Sequence, residues 1–215
     1  MCRETKEYPD SPAYQEQEKN VPKPGAGKRI VIAATGASGL PILKMCLQII
    51  KEESDYESIL ILSDSAKITL QQETNDTVEE IEALADQICD AKDIGAGPAS
   101  GSFRTEGMLI VPCSMKTVAG IHSGYADNLI LRAADVTIKE QRTLVLAARE
   151  TPLSAIHLRN LSELAMIPGV RIIPPMMTFY HQPENIEEMT YHIAAKLVEP
   201  FGIEAKEYRR WTGIA

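Results

Sequence analysis

Residues 29–39 read RIVIAATGASG, and this stretch decides the fold. The β-branched run at 29–35 is typical of a strand that is buried on both faces. The glycines after it let the chain turn tightly, and we predict a helix from Pro41 to Glu52 because proline is tolerated in a first helical turn. A buried strand followed by a glycine turn and a helix is the first half of a βαβ unit.

The alternation of strand and helix signals continues along the chain. Further buried strands are predicted at 58–62, 107–112, 143–148 and 170–173, and helices at 64–73, 77–88, 125–140 and 184–199. The helix at 77–88 is inferred from apolar residues at one-face spacing, namely Ile81, Leu84, Ala85 and Ile88. Thr151 is expected to cap a further helix that begins at Pro152. The pattern predicts an α/β protein whose parallel sheet is covered by helices on both faces.

The composition is that of an ordinary globular protein. A length of 215 residues favours one domain, and 44% hydrophobic with 24% charged residues excludes collagen-like and low-complexity classes. The net charge of −8 argues against whole-protein attraction to nucleic acid or an anionic membrane. No apolar run approaches the roughly 18–20 residues of a membrane span.

The cysteines and the N-terminal sequence indicate a cytoplasmic protein. The four cysteines stand at 2, 46, 89 and 113, form no CxxC motif and have no histidine at metal-ligand spacing. We therefore expect thiols rather than disulfides, and no metal site. Residues 1–27 are polar, contain several prolines and lack the apolar segment of a signal peptide. We predict that 1–27 is a flexible tail, or an arm that lies on a neighbouring molecule, and that 28–215 is a single domain.

Ligands of parallel sheets bind beyond the carboxyl ends of the strands, so the residues that follow each strand are the candidates for a site. The first strand ends in TGASG at 35–39, which is either a phosphate cradle or a tight turn. The motif G-x-G-x-x-G of dinucleotide-binding proteins is missing. The second strand ends at Ser63, a ligand-binding residue or a helix cap.

Three later strand ends carry polar side chains as well. The third strand ends in PCSMKT at 112–117, where Cys113 is a nucleophile or, more commonly at such a position, a buried thiol. Arg149 and Glu150 follow the fourth strand, either as a surface ion pair or as a cation and a carboxylate in the crevice. PPMMTFYHQP at 174–183 follows the fifth strand and could line a flat or apolar ligand.

These motifs together resemble those of the UbiX-like flavin prenyltransferases, which include the B subunits of phenolic-acid decarboxylase systems. The resemblance runs from 28 to 213 and is carried by TGASG, SGSF, PCSMKT, ADNLILRAADV, IKEQRTLVLAARETPLSAIHL, IPPMMTFYHQP and RRWTGI. The sequence departs from many members in LPILKMC after the glycine turn, and in the long tail.

The resemblance implies a flavodoxin-like or Rossmann-like three-layer fold and assembly as a homododecamer. It also implies a metal-independent enzyme that transfers a dimethylallyl group from dimethylallyl phosphate, or the diphosphate, to N5 and C6 of reduced FMN. The product, prenylated FMN, would serve a UbiD-like decarboxylase.

The resemblance also assigns the site residues. FMN would be bound by Gly36, Ala37, Ser38, Ser63, Ser114, Met115, Lys116, Thr117 and Arg149. The prenyl phosphate would be bound by Tyr180, Lys196, Arg132 and Lys139, and Trp211 would close the pocket. The catalytic group would comprise Ser38, Glu73, Glu150 and Lys139. Lys196 stands where many members have arginine.

Two other classes of function remain possible from the sequence. An FMN-dependent cysteine-decarboxylase-type flavoprotein would need a catalytic histidine and a PxMNxxMW-like segment, and we find neither pattern. A non-catalytic flavin carrier would keep the FMN turns but would not need the cations at Lys139 and Lys196.

Overall fold

The computed structural model describes residues 27–52 and 55–213. These residues form one six-stranded parallel sheet in the order β3-β2-β1-β4-β5-β6. The strands are β1 (Lys28–Ala34), β2 (Tyr56–Leu62), β3 (Gln87–Asp90), β4 (Gly107–Cys113), β5 (Thr143–Ala148) and β6 (Val170–Ile172). The chain order reverses between β1 and β4, which is where ligands bind in sheets of this type.

Seven α-helices cover the sheet in the described part of the chain. They are α1 (Leu40–Lys51), α2 (Asp64–Glu73), α3 (Val78–Glu82), α4 (Met115–Ser123), α5 (Leu129–Lys139), α6 (Ala155–Ala165) and α7 (Ile186–Val198). The first three and α7 bury their apolar faces on one side of the sheet, and α4, α5 and α6 on the other. The predicted three-layer α/β fold is confirmed.

The core follows from the alternation of side chains along each strand. On β1, Ile30 and Ile32 face the α1 and α7 layer, whereas Val31 and Ala33 face the layer of α4, α5 and α6. All four are at most 2% exposed. Because both faces are covered, the strand is a continuous apolar run rather than an alternating one.

The prediction of a helix over 77–88 is wrong. The helix ends at Glu82, and residues 87–90 form the edge strand β3, which the sequence did not indicate. The Asp86 carboxylate accepts hydrogen bonds from the Ser58 N–H at 2.8 Å and the Ser58 hydroxyl at 2.9 Å, which fixes the register of β3 on β2. Ile88 is therefore 53% exposed at the sheet edge instead of lying on a helix face.

Two other boundaries differ from the prediction. One helix is predicted over 125–140, but the observed helix α5 begins only at Leu129. Gly124 ends α4 with a φ of 69°, and Asn128 caps α5. Thr151 is not a helix cap, since α6 begins at Ala155 and the Ser154 hydroxyl accepts the His157 N–H. The predicted tail lies outside the described residues apart from Gly27.

Candidate active site

The turns after β1 and β4 are joined by one buried side chain, Thr35. Its hydroxyl donates to the Pro112 carbonyl at 3.1 Å and accepts from the Ser114 N–H at 2.8 Å. The Thr35 N–H donates to the same carbonyl at 3.1 Å. These bonds hold the TGASG and PCSMKT turns side by side at the point where the strand order reverses.

The glycine turn lies close to the start of α2. A Cβ on Gly36 would lie 2.4 Å from the Cβ of Ser65, so only glycine lets the two turns approach. Gly39 has a φ of 127°, a conformation that L side chains rarely adopt. The turn is therefore both tight and close to its neighbour, and Ala37 and Ser38 between the two glycines are half-buried.

Glu73 is the last residue of α2, and its carboxylate lies at the N-terminus of α1. Its Oε2 accepts the N–H groups of Gly39 at 2.9 Å and Leu40 at 3.0 Å, two of the amides that a helix leaves unpaired at its start. Both bonds use the same oxygen, and Oε1 has no hydrogen-bond partner in the described residues. The sequence assigned Glu73 to proton transfer, and the structure places it beside the glycine turn with one free oxygen.

The serines at the ends of β2 and β4 both cap the helices that follow them. Ser63 Oγ accepts the Ala66 N–H at 3.1 Å. Ser114 Oγ accepts the Thr117 N–H at 3.4 Å and lies 3.1 Å from the Thr117 hydroxyl. The N-termini of α1, α2 and α4 therefore meet at one sheet edge. That of α1 already holds the Glu73 carboxylate, and those of α2 and α4 favour a further anion.

Two cations lie at this edge. Lys116 follows the buried Met115 on α4 and is exposed. Arg149 follows β5 and is exposed. Its backbone N–H donates to the Cys113 carbonyl at 3.0 Å. Neither cation forms an ion pair within the described ranges, 27–52 and 55–213. Glu150 beside Arg149 is also exposed and accepts the Thr151 N–H at 3.0 Å.

Cys113 is a buried thiol. It is 0% exposed, and burial raises its pKa well above the ordinary value. Because the thiolate is the nucleophilic form, this side chain is inert. The packing interpretation of Cys113 therefore holds, and the nucleophile interpretation does not.

The predicted phosphate cations on α5 form no hydrogen bond or ion pair with the strand-end turns in the described residues. Arg132 donates to the Ala99 carbonyl at 3.1 Å and to Asp135 at 2.7 Å. Lys139 pairs with Glu140 at 2.5 Å, where α5 ends and the chain enters β5 at its amino end. A strand of this length spans roughly 20 Å, so Lys139 lies at the sheet edge opposite to Arg149.

The aromatic residues predicted for the pocket form a third group, on the outer side of α7. Trp211 meets the Tyr180 ring edge-on, with the ring centroids 5.7 Å apart. The Tyr180 hydroxyl lies 3.2 Å from Nε2 of His192 on α7. Tyr180 is 45% exposed and Trp211 60% exposed, so both rings present one face to the surface.

Lys196 belongs to this third group and is not a lone cation. Its Nζ lies 2.5 Å from Glu199, whose other oxygen pairs with Arg210. The hydrogen bond to Glu199 raises the pKa of Lys196, and Lys196 and Arg210 together lower that of Glu199. Sequence reasoning missed Arg210 and His192. Arg210 was visible only as part of RRW, and His192 had no local motif.

The structure thus brings the predicted FMN residues together and leaves the predicted phosphate residues in two separate groups. In the part of one chain that the structure describes, no hydrogen bond or ion pair links the α5 cations or the C-terminal group to the strand-end turns. Within the described ranges, no cluster of three or more His, Cys, Asp or Glu side chains could hold a metal ion. No helix in that part of the chain is long and apolar enough to cross a membrane.

Comparison with known proteins assigns the family. The model of the Flavoprotein family matches residues 18–198. Flavin prenyltransferase LpdB of Lactiplantibacillus plantarum is 50% identical over 186 residues, which cover 86% of this chain and 99% of the relative.

Two solved structures are similar over most of the chain. A dodecameric FMN-dependent UbiX-like decarboxylase from Escherichia coli O157:H7 has a TM-score of 0.84 and 45% identity, over 86% of this chain and 100% of the other. AnUbiX (PadA1) in complex with FMN and dimethylallyl pyrophosphate has a TM-score of 0.83 and 42% identity, over 88% and 100%. These similarities agree with the glycine turn, the serines that cap α2 and α4, and the strand order. This chain belongs to the family of UbiX-like flavin prenyltransferases.

Proposed function

We propose that the protein transfers a dimethylallyl group from dimethylallyl phosphate to N5 and C6 of reduced FMN. The allylic C–O bond breaks and phosphate leaves, N5 and C6 each lose a proton as they bond to the prenyl group, and the prenyl double bond takes up one proton as the new ring closes. The observation that carries the proposal is the convergence, at the β1–β4 edge, of the N-termini of α2 and α4 with two cations, Lys116 and Arg149, that form no ion pair within residues 27–52 and 55–213.

The strand-end turns fit FMN because it has one phosphate and a flat ring. Gly36 leaves no room for a side chain against Ser65, so the backbone of the turn carries no side chain at that point. The first N–H groups of a helix bind phosphate without a metal. We assign FMN to Gly36, Ala37, Ser38, Ser63, Ser114, Met115, Lys116, Thr117 and Arg149.

The leaving phosphate needs cations, and we assign this role to Tyr180, Lys196, Arg132 and Lys139. Lysine, arginine and tyrosine stabilise a departing phosphate by charge-assisted hydrogen bonds. Within the described part of the chain, these residues form no hydrogen bond or ion pair with the FMN turns. We therefore propose that the site is completed between neighbouring subunits of a homododecamer, in which one chain supplies the turns and others supply the cations.

Carboxylates at the β1–β4 edge are suited to move the proton. Oε1 of Glu73 has no partner among the described residues, while Oε2 is held by two amides that fix the orientation of the group. Glu150 lies next to Arg149 at the end of β5. We assign both to proton transfer and phosphate departure, with Ser38 assisting and Trp211 excluding water from the allylic carbon.

The remaining assignments concern the context of the enzyme. We propose a single domain over 28–215 with a flexible tail over 1–27, and a cytoplasmic location, since Cys46, Cys89 and Cys113 are all free thiols. The product would be prenylated FMN, delivered to a UbiD-like decarboxylase. The protein alone would not decarboxylate phenolic acids, because its cations suit a phosphate.

The test is the mass of the flavin released after anaerobic incubation of the protein with reduced FMN and dimethylallyl phosphate. We expect a flavin heavier by one prenyl unit. Unmodified FMN after a full incubation would favour a flavin carrier, and carbon dioxide release without a second enzyme would favour a decarboxylase. Tight binding of NAD with no affinity for FMN would contradict all three functions, the prenyltransferase, the flavin carrier and the decarboxylase.

A further inference from the structure

Two buried histidines lie behind the Tyr180 ring. His181 and His192 stack face to face, with ring centroids 3.9 Å apart and planes inclined by 5°. Only 9% and 5% of the two residues are exposed. The Tyr180 ring meets His192 edge-on at 5.5 Å. Neither imidazole has a role in the proposed reaction, so the pair needs an explanation of its own.

The neighbours of His192 fix the position of its proton. Nε2 lies 3.4 Å from the carbonyl oxygen of Arg209, which only accepts hydrogen bonds, so Nε2 carries the proton. A neutral imidazole has one N–H, which leaves Nδ1 bare. Nδ1 then accepts from the Thr178 hydroxyl, 3.1 Å away.

The same reasoning fixes the proton of His181. Because the Thr178 proton is directed at His192, the Thr178 oxygen accepts from Nδ1 of His181 at 3.4 Å. Nε2 of His181 is then bare, and it is buried without a hydrogen-bond partner among the described residues. An unpaired acceptor is tolerated more readily than an unpaired N–H. With one N–H on each ring, every ring nitrogen of the pair other than Nε2 of His181, and the Thr178 hydroxyl, has a partner among the described residues.

We propose that His192 is a positioning residue for Tyr180, an inference that rests on the proposed binding of the prenyl phosphate by Tyr180. The one Nε2–H of His192 lies between two acceptors and is shared by the Arg209 carbonyl at 3.4 Å and the Tyr180 oxygen at 3.2 Å. The tyrosine's own proton therefore points away from the histidine and is available to an anionic oxygen. His192 sets the direction of that proton without touching the substrate.

Acid should disrupt this arrangement. A second proton on His192 would sit on Nδ1 and reverse the hydrogen bond with Thr178. It would also place a charge on a ring that is 5% exposed and stacked on His181, so the charged ring would move toward water and take Nε2 away from Tyr180. Burial, and then the charge of a protonated His181, lower the pKa of His192 below its ordinary 6.5, while the Arg209 carbonyl acts the other way. Besides Tyr180 and His181, the titratable and charged side chains around His192 are Glu188, Tyr191, Glu207, Tyr208 and Arg209.

Steady-state kinetics at varied dimethylallyl phosphate and saturating reduced FMN, from about pH 5 to about pH 8, test the proposal. We expect the wild-type KM for the prenyl phosphate to rise in acid, below a pH of 6.5, with little change in kcat. His192→Gln keeps an N–H near the Nε2 position and does not titrate, so its acid rise should be absent. His192→Asn lacks that donor and should raise KM roughly two- to tenfold at every pH, with FMN affinity unchanged.

The matched control is His157→Gln. His157 occupies the third position of the capping box of α6, where glutamine is an ordinary partner. This variant should keep the wild-type pH profile, because α6 lies on the opposite face of the sheet from α7.

The fluorescence of Trp211 gives a reading that does not depend on activity. Trp211 is the one tryptophan of the sequence, and the centroid of its ring lies 5.7 Å from that of Tyr180. The wild type should show an acid fluorescence transition that His192→Gln lacks. If the wild type transfers no prenyl group, the proposed function fails, and the fluorescence titration still decides the inference.

Two results would overturn the proposal: a wild-type KM in His192→Asn, or an unchanged acid rise and fluorescence transition in His192→Gln. If the histidine variants do not fold, Tyr180→Phe decides instead. This change keeps the ring and removes the oxygen that His192 directs, so the acid rise in KM should disappear. Its persistence would show that His192 does not act through Tyr180.

Discussion

Replacing Thr35 with valine keeps the shape of a buried side chain and removes the hydroxyl that joins the ends of β1 and β4. The Pro112 carbonyl keeps a partner, because the backbone N–H of residue 35 also donates to it at 3.1 Å. The Ser114 N–H loses its acceptor at 2.8 Å. A lost hydrogen bond costs about 0.5–1.5 kcal/mol and an orphaned buried N–H about 1–3 kcal/mol. Since Ser114 is half-buried, we expect the free energy of unfolding to fall by about 2 kcal/mol.

The assays are urea denaturation followed by circular dichroism and a titration with FMN. Thr35→Val should also weaken FMN binding, because the two turns that would hold FMN are no longer joined. Thr35→Ser is the control: it keeps the hydroxyl and loses one methyl group, so FMN affinity should stay close to wild type. Equal FMN affinity in Thr35→Val and the wild type would refute the argument that Thr35 organises the site.

Three further predictions concern other parts of the molecule. Gly36→Ala should lower FMN affinity at least tenfold, because its Cβ would lie 2.4 Å from that of Ser65; an unchanged titration would contradict this. Lys196→Ala should reduce the use of dimethylallyl phosphate about ten- to a hundredfold and spare FMN binding, whereas Lys196→Arg should keep most activity; loss of FMN binding in the alanine variant would show the assignment to be wrong. Because the pKa of His192 is lowered in the folded state, the unfolded chain binds more protons, so urea stability should fall as pH drops below 6.5 and level off below the folded-state pKa; a flat profile in that window would count against it.

The parts of the fold that local chemistry dictates were predictable from the sequence. The run at 29–35 is buried on both faces, so its apolar composition alone identifies the strand. Edge strand β3 was missed because its side chains are mostly exposed and its position depends on the Asp86–Ser58 hydrogen bonds, a contact between residues 28 apart. The apolar spacing that includes Ile88 looks helical in the sequence although a strand follows the helix.

The candidate site divides in the same way. The strand-end residues were predictable, because a parallel sheet gathers the carboxyl ends of its strands at one edge. Glu199 is only three residues from Lys196, but the second cation on Glu199 was not predictable, because Arg210 reaches it through a C-terminal segment that folds back on α7. The buried histidine pair also depends on that segment, since Arg209 supplies the carbonyl that fixes the proton on His192.

The strand-end serines show that helix capping and ligand binding are compatible uses of one side chain. Ser63 Oγ accepts the Ala66 N–H and so caps α2, but accepting uses a lone pair and leaves the hydroxyl proton free to be donated. The cap fixes the oxygen at the sheet edge, so this proton is presented in a defined region without further cost in side-chain entropy. Ser114 is held in the same way by the Thr117 N–H. A sequence with a serine directly after a buried strand therefore favours both interpretations at once, and the neighbouring turn decides whether the free proton meets a ligand.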